Sequence, residues 1–148
     1  MQQVNNNYER VKLNILKYFT LFMTGALVYM TIEILWRGHT HWTMGIIGGI
    51  VLILVGLINE FDRDIPLLVQ APLASIIITL LEYYTGTIVN LKLGWHIWDY
   101  SGLPFNVDGQ VCLLYSIFWM ILGPIASLLD DYIRCEIFHE PKKKINLI

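Results

Sequence analysis

Long apolar runs separated by short polar clusters dominate the chain. A membrane-spanning helix needs roughly 20 mostly apolar residues. Four segments meet this length, at about 13–36, 43–59, 65–84 and 111–129. We therefore predict an all-α membrane protein, a four-transmembrane-helix bundle with a polar, aromatic extracytoplasmic loop between helices 3 and 4. The bundle would form a single integral membrane domain over 1–148, with a basic cytoplasmic tail over 130–148.

The composition agrees with this pattern. Only 15 % of the residues are charged, 55 % are hydrophobic, and the mean hydropathy is +0.54. A soluble domain has about a quarter charged residues, so a soluble helical bundle is the weaker alternative. The first apolar run is too long for a signal-peptide core and precedes no small-residue cleavage site, so we expect it to be retained. The net charge of −2 gives no indication of nucleic-acid binding.

The positive charges predict the orientation. Arg37 and Lys92 fall on one side of the predicted membrane. The other Lys and Arg residues fall on the opposite side: Arg10, Lys12, Lys17, Arg63, Arg134, Lys142, Lys143 and Lys144. Because Lys and Arg concentrate in cytoplasmic segments, both termini are expected in the cytoplasm of a multi-pass cell-membrane protein.

The second apolar segment is rich in glycine. Its small residues, Gly45, Gly48, Gly49 and Gly56, suit close helix–helix approach in lipid. Four helices make a thin wall for a pore, so we expect a homo-oligomer or a partner membrane protein. The glycine-rich helix is the candidate interface.

Polar groups from several parts of the chain are predicted to reach one outer membrane level. Glu33 lies four residues before Arg37, which is the helical spacing for an ion pair. The alternative is a Glu33 side chain that faces inward as a ligand or proton acceptor. Glu82 is either a desolvated carboxylate suited to a proton relay or a hydrated interfacial one.

The sequence RGHTHW raises the question of a metal site. His39 and His41 share a face if the chain is extended, and His96 with a carboxylate from Glu33, Glu82 or Asp99 would complete a zinc or manganese set. However, the H-x-H motif is unspecific, and His and Trp are common at membrane boundaries. The sequence requires no cofactor, and a divalent metal stays an open alternative.

The 85–110 connection is the richest part of the chain in candidate features, with Gly86, Gly94, Gly102, Pro104 and Gly109 as helix breakers. A short interfacial helix would place Trp95 and Trp98 on one face as membrane anchors, and would point His96 and Asp99 toward the protein. The LPFNVDGQ segment predicts a turn into helix 4, with Asn106 or Asp108 able to cap that helix. Membrane anchoring and helix capping do not explain why four polar residues occur close together in this loop: His96, Asp99, Asn106 and Gln110.

Four sequence blocks resemble a known family. EILWRGHTHWTM, GLINE, LLEYYTGTIVN and GWHIWDYSGLPFNVDGQVCLLYSIFW are similar to the small bacterial membrane proteins of the ABC-transporter type IV (CmpB-like) family, over about residues 25–125. The residues of this chain that match the family's motif blocks are Glu33, Arg37, Gly38, His41, Trp42, Glu82, Asn90, Trp98, Asp99, Tyr100, Asn106, Gly109 and Gln110. The resemblance implies a permease-type component of the bacterial inner membrane, with no substrate or catalytic residues attached. The sequence contains no G-x-x-x-x-G-K-[ST] motif, so an ATPase would be a separate subunit.

The leading hypothesis is therefore a transport-related membrane protein with a polar binding site at the outer leaflet. The predicted site comprises Glu33, Arg37, His41, Trp42, Glu82, Asn90, His96, Trp98, Asp99, Tyr100, Asn106 and Gln110. One alternative is a membrane-embedded enzyme acting on a lipid or isoprenoid headgroup, with His96, Asp99, Glu33 and Glu82 supplying acid–base or metal chemistry. The other is a non-catalytic assembly or sensing protein, in which the polar cluster is structural.

Overall fold

Four α-helices account for most of the chain in a computed structural model, which describes residues 2–61 and 65–141. The helices are α1 (Gln2–Arg37), α2 (Trp42–Phe61), α3 (Leu67–Gly86) and α4 (Leu113–Glu136). A π-helical segment, Thr87–Lys92, continues α3, and two short strands, β1 (Asn106–Val107) and β2 (Val111–Cys112), precede α4. The predicted locations of Arg63 and of Lys142, Lys143 and Lys144 lie outside the described residues.

The helices have the length and surface of membrane spans. Three are long and apolar enough to cross a bilayer, Asn7–Arg37, Leu67–Lys92 and Leu113–Glu136, while Trp42–Ile58 is a shorter apolar helix. Large apolar side chains such as Phe19 and Ile121 are about 60 % exposed (61 % and 60 %). Water-soluble surfaces rarely expose contiguous apolar areas of this kind. The chain is a helical membrane protein.

The helices extend beyond their apolar parts. α1 begins at Gln2 instead of near 13, and α4 ends at Glu136 instead of near 129. Hydropathy identifies only the apolar part of a helix, whereas polar residues at either end continue the same helix. In α4 the added turns hold Asp130 and Arg134, whose side chains pair across one turn at 2.6 Å.

The turn between α1 and α2 is short and locally determined. Gly38 has a φ of +75° and donates its N–H to the carbonyl of Ile34 at 2.8 Å, which ends α1. His41 then precedes α2, and its carbonyl accepts the N–H of Met44 at 2.9 Å. The imidazole Nδ1 of His41 also lies 2.9 Å from Oγ1 of Thr43.

The chain divides into two compact units, each described separately. The first unit comprises residues 2–53 and 130–141, and the second comprises 54–61 and 65–129. In the first unit, the backbones of α1 and α2 lie close together at Gly48, which leaves no space for a side chain there. A Cβ on Gly48 would lie 2.4 Å from Cβ of Tyr29 and 2.7 Å from the carbonyl oxygen of Gly25. Gly49 likewise faces Phe22.

This packing corrects the prediction that the glycines of the second helix form an interface with another chain. Gly45, Gly48 and Gly49 face α1 of the same chain, since an added Cβ at each would meet Met30, Tyr29 or Phe22. Small residues let helices associate in lipid, as expected, but here the association is within one molecule. These glycines therefore do not supply a free surface for an oligomer.

In the second unit, the approach to α4 is a β-hairpin instead of a capped turn. β1 and β2 pair antiparallel, with Asn106 opposite Cys112 and Val107 opposite Val111. Asp108 and Gly109 take positive φ angles of 51° and 68° at the turn. Because α4 begins at Leu113, neither Asn106 nor Asp108 caps it, contrary to the sequence expectation.

The predicted interfacial helix around Trp95 is also absent, since residues 94–100 are not helical. The π-helical segment ends where the N–H groups of Leu93 and Trp95 bond to Ile88 and Val89, both at 2.9 Å. Trp95 is 45 % exposed and Trp98 only 5 %, so the two rings have different environments instead of sharing one face.

Candidate functional site

A line of hydrogen-bonded polar side chains lies between α3 and α4; we call it the polar stripe. Its α3 members are Gln70, Ser75, Thr79 and Glu82. The last three are spaced by three or four residues and so lie on one face of the helix, whereas Gln70 precedes Pro72. Their partners on α4 are Ser116, Trp119 and Ser127.

Three contacts of the stripe join hydroxyl or amide groups. Ser127 donates its hydroxyl to Oε1 of Gln70 at 2.8 Å, and Ser75 donates to the carbonyl of Ser116 at 2.6 Å. The hydroxyls of Thr79 and Ser116 lie 3.0 Å apart. Such hydrogen bonds between spanning helices contribute about 0.6 kcal/mol each on average, so the stripe is a modest source of stability.

Glu82 is the one carboxylate in the stripe. Its side chain is 2 % exposed, and its Oε2 accepts a hydrogen bond from Nε1 of Trp119 at 2.8 Å. An ionisable group inside a spanning helix is expensive and usually faces a cavity or a specific partner. Of the two sequence alternatives for Glu82, burial favours the desolvated carboxylate over the hydrated one.

Beyond the stripe, three predicted site residues form a buried cluster: Asn90, Trp98 and Gln110, which we call the loop lock. The Asn90 amide donates to Oε1 of Gln110 at 2.8 Å and to the carbonyl of Trp98 at 3.1 Å. The Trp98 indole donates to the Gln110 carbonyl at 2.9 Å. These bonds fix the loop onto the end of the α3 extension.

Gly86 makes the loop lock possible. A Cβ at this position would lie 2.5 Å from Oε1 of Gln110 and 3.0 Å from the Trp98 ring. Oε1 of Gln110 would then have to move, and with it the hydrogen bond that it accepts from Asn90, so a larger residue here would disturb the loop lock. The loop lock therefore depends on a residue that the sequence reasoning treated only as a breaker.

His96 and Asp99 do not join this cluster. Both are exposed, which corrects the expectation that they face the protein. Oδ1 of Asp99 accepts the N–H of Ser101 at 2.8 Å, and hydrogen bonds from Ser101 lower the pKa of Asp99, with a smaller contribution from His96. Asp99 therefore stabilises the turn, and a catalytic role for His96 and Asp99 stays a prediction.

Two further predicted residues shape the same loop. The Asn106 amide donates to the carbonyl of Leu103 at 2.7 Å, and its Oδ1 accepts the N–H of Gly109 at 3.1 Å. Tyr100 stacks on Tyr115 with ring centres 4.6 Å apart. Both contacts support the hairpin that leads into α4.

The remaining predicted residues belong to the first unit. Glu33 and Arg37 form an ion pair at 2.6 Å, and Thr40 donates its hydroxyl to the other oxygen of Glu33 at 3.0 Å. The structure thus shows the ion pair that the spacing predicted. His41 and Trp42 lie at the start of α2, with ring centres 5.4 Å apart. Because the two groups of predicted residues lie in different units, their meeting at one site stays a prediction.

The metal hypothesis gains no geometric support in the described part of the chain. No group of three or more His, Cys, Asp or Glu side chains there could hold a metal ion. Nδ1 of His39 lies 3.0 Å from the carbonyl of Arg37, Nδ1 of His41 lies beside Thr43, and His96 belongs to the other unit.

Sequence reasoning missed the α4 side of the stripe. Ser116, Trp119 and Ser127 stand singly within an apolar run and give no motif. The α3 side did carry a signal, because Ser75, Thr79 and Glu82 recur on one helical face.

Comparison with known proteins gives one match. The family model described as "Putative ABC-transporter type IV" matches residues 42–146, which include the loop lock and both sides of the stripe. The matched region begins after Glu33 and Arg37, which are therefore outside it. No curated protein and no solved structure matches the chain.

Proposed function

The chain belongs to the Putative ABC-transporter type IV family, and from this premise we propose that it is the membrane-embedded subunit of an ABC-type transport system. The sequence has no phosphate-binding loop, so ATP hydrolysis would come from a separate chain. The proposal gives the polar stripe the central role in this subunit.

The observation that carries the proposal is the burial of Glu82 within a candidate span. A carboxylate held at 2 % exposure beside Trp119 is unfavourable for stability, so its presence calls for a functional reason. The neighbouring hydroxyls of Ser75, Thr79 and Ser116 extend the polar surface along the helix pair. We propose that this surface interacts with the transported solute or with a coupling proton.

The proposal includes four spans with both termini in the cytoplasm. The shortest apolar helix, Trp42–Ile58, would cover about 26 Å at 1.5 Å per residue, close to the lower limit for a span. Reporter domains fused at the C-terminus and in the 93–105 loop test the arrangement. A cytoplasmic signal from the first and an extracytoplasmic signal from the second are expected, and the reverse result would contradict the orientation.

The partner ATPase gives the direct test of the function. The tagged chain, purified from native membranes and reconstituted in proteoliposomes, is expected to retain an ATPase subunit and to hydrolyse ATP. Glu82→Gln should lower that hydrolysis by about tenfold, or about 1.4 kcal/mol, because the carboxylate is lost while the shape is kept. The exposed Glu9→Gln serves as the matched control and should leave hydrolysis unchanged.

Two outcomes would contradict the proposal. A complex that contains no ATPase subunit would remove the transport assignment. Equal hydrolysis in wild-type and Glu82→Gln complexes would remove the stripe from the mechanism.

A non-catalytic assembly role is the second candidate, and the loop lock favours it. Asn90, Trp98 and Gln110 bond to one another and to nearby backbone, which is the arrangement of a structural network. Under this alternative, Glu82→Gln would reduce stability without changing any activity of the complex.

A further inference from the structure

We propose that the first unit binds the phosphate headgroup of an anionic phospholipid. The site is a groove of about 1020 Å³ between the beginning of α1 and residues 137–140, which follow α4. This inference is independent of the transport proposal, because it involves neither the polar stripe nor an ATPase.

One wall of the groove is a polar line along α1. Asn7, Arg10, Asn14 and Lys17 all line it, and their spacing of three or four residues places them on one helical face. Arg10 and Lys17 are separated by about 10 Å along the helix at 1.5 Å per residue. Arg10 is suited to a phosphate oxygen, and the amides of Asn7 and Asn14, one turn to either side, are suited to its polar substituent, while Lys17 is paired with Glu140.

The charge in the groove favours an anion. Glu140 is the one acidic residue among the described lining residues, and its carboxylate is already shared by two cations. Lys17 contacts its Oε1 at 2.5 Å, and Nη1 of Arg134 lies 3.7 Å from its Oε2. Arg10, which is exposed, adds a positive charge to the same lining, and the His139 ring lies in it too.

The apolar part of the lining favours a lipid over a free anion. Val11, Leu13 and Leu16 line the groove beside the polar line, and Phe138 lines the opposite wall. Leu13 and Leu16 are about half exposed (55 % and 53 %), at the point where α1 changes from polar to apolar sequence. A headgroup at the polar line would place its acyl chains along these side chains.

The sequence adds further positive charge after the groove. Lys142, Lys143 and Lys144 follow Pro141 directly. Basic segments next to a spanning helix attract anionic lipids, and basic pockets at helix ends bind anionic headgroups. The groove and the lysine run are therefore consistent with one class of ligand.

A lipid titration of the full chain tests the proposal. The protein is purified in a neutral detergent, titrated with phosphatidylglycerol or phosphatidylcholine, and the bound lipid is measured by native mass spectrometry. Phosphatidylglycerol is expected to bind more tightly, and Arg10→Gln should weaken it about fivefold, since one basic residue contributes about 1 kcal/mol.

Two variants control for charge and folding. Lys12→Gln removes another exposed charge, two residues away, that does not line the groove, and should leave binding unchanged. Asn14→Glu places a negative charge within the polar line and should weaken binding at least as much as Arg10→Gln. Circular dichroism confirms that each variant is helical.

Three results would overturn the proposal. These are equal affinity for the two lipids in the wild-type protein, equal weakening by Lys12→Gln and Arg10→Gln, and displacement of phosphatidylglycerol by millimolar inorganic phosphate. The last would identify a small-anion site instead of a lipid site.

Discussion

The two units hold their helices together by different means. In the first unit, α1 and α2 meet through Gly25, Gly48 and Gly49, with backbone against backbone and side chain. In the second unit, α3 and α4 share a close glycine contact, Gly123 against Ala74, but add the polar stripe along their interface.

This difference supports the proposed role of the polar stripe in function. In lipid, close packing of small residues is a strong source of helix association, whereas interhelical hydrogen bonds add little. A buried carboxylate adds cost instead of stability. The stripe is therefore the part of the molecule whose composition stability alone does not explain.

The largest effect is expected from disrupting the glycine contact. Gly48→Ala would place a Cβ 2.4 Å from Cβ of Tyr29 and 2.7 Å from a backbone oxygen, which forces the helices apart. We expect a loss of about 3 kcal/mol in the free energy of unfolding. Gly102→Ala, whose added Cβ meets nothing within 4 Å, is the matched control and should be nearly neutral. Reversible unfolding in mixed micelles, followed by circular dichroism, measures the unfolding free energy of both variants. Equal losses would show that the Gly48 contact does not hold α1 and α2 together.

The loop lock should give the next largest effect. Gln110→Leu removes the acceptor of the Asn90 amide and leaves a buried donor without that bond, at a cost of about 2 kcal/mol in unfolding free energy. His96→Asn changes an exposed neighbour whose positive φ asparagine tolerates, and should stay within about 0.5 kcal/mol. A loss for Gln110→Leu no larger than that for His96→Asn would show that the network does not hold the loop.

The hydroxyls of the stripe should have small effects on stability. Ser127→Ala removes one hydrogen bond to Gln70 and is expected to cost about 0.6 kcal/mol by the same unfolding measurement. Ser75→Ala should behave similarly. Losses comparable to that of Gly48→Ala would mean that the stripe is a structural element after all.

The smallest expected effect is a pH dependence at Asp99. Its pKa in the folded protein is lower than in the unfolded chain, so its contribution to stability is present above the ordinary carboxyl range, near pH 4. That contribution is lost as the pH falls through the lowered folded value. Melting temperatures at pH 6 and pH 3 should therefore differ more in wild type than in Asp99→Asn, and an identical difference would contradict this role.

Much of the helical fold could be predicted from the sequence, because lipid imposes a length and an apolar composition that are visible in one chain. The predicted ends of the helices were less accurate where polar residues continue a helix, as at Asp130–Arg134 in α4. The π-helical segment and the β-hairpin were not predicted. Gln110 of the hairpin turn lies against Gly86, just before the π-helical segment, and this contact is distant in sequence.

The candidate site was predicted only in part. Local spacing identified the Glu33–Arg37 pair, since both residues lie on one helix. The family resemblance included Asn90, Trp98 and Gln110, but did not indicate their common contact. His96 and Asp99 were misplaced because the expected interfacial helix does not form, so its periodicity does not apply.

The central claim is that the polar stripe serves function and not stability, and Glu82→Gln tests it most directly. The amide oxygen of glutamine can still accept the Trp119 N–H, so the unfolding free energy should stay within about 1 kcal/mol of wild type. In the same preparation, ATP hydrolysis by the reconstituted complex should fall about tenfold. A loss of about 3 kcal/mol in stability, with hydrolysis unchanged, would contradict the claim.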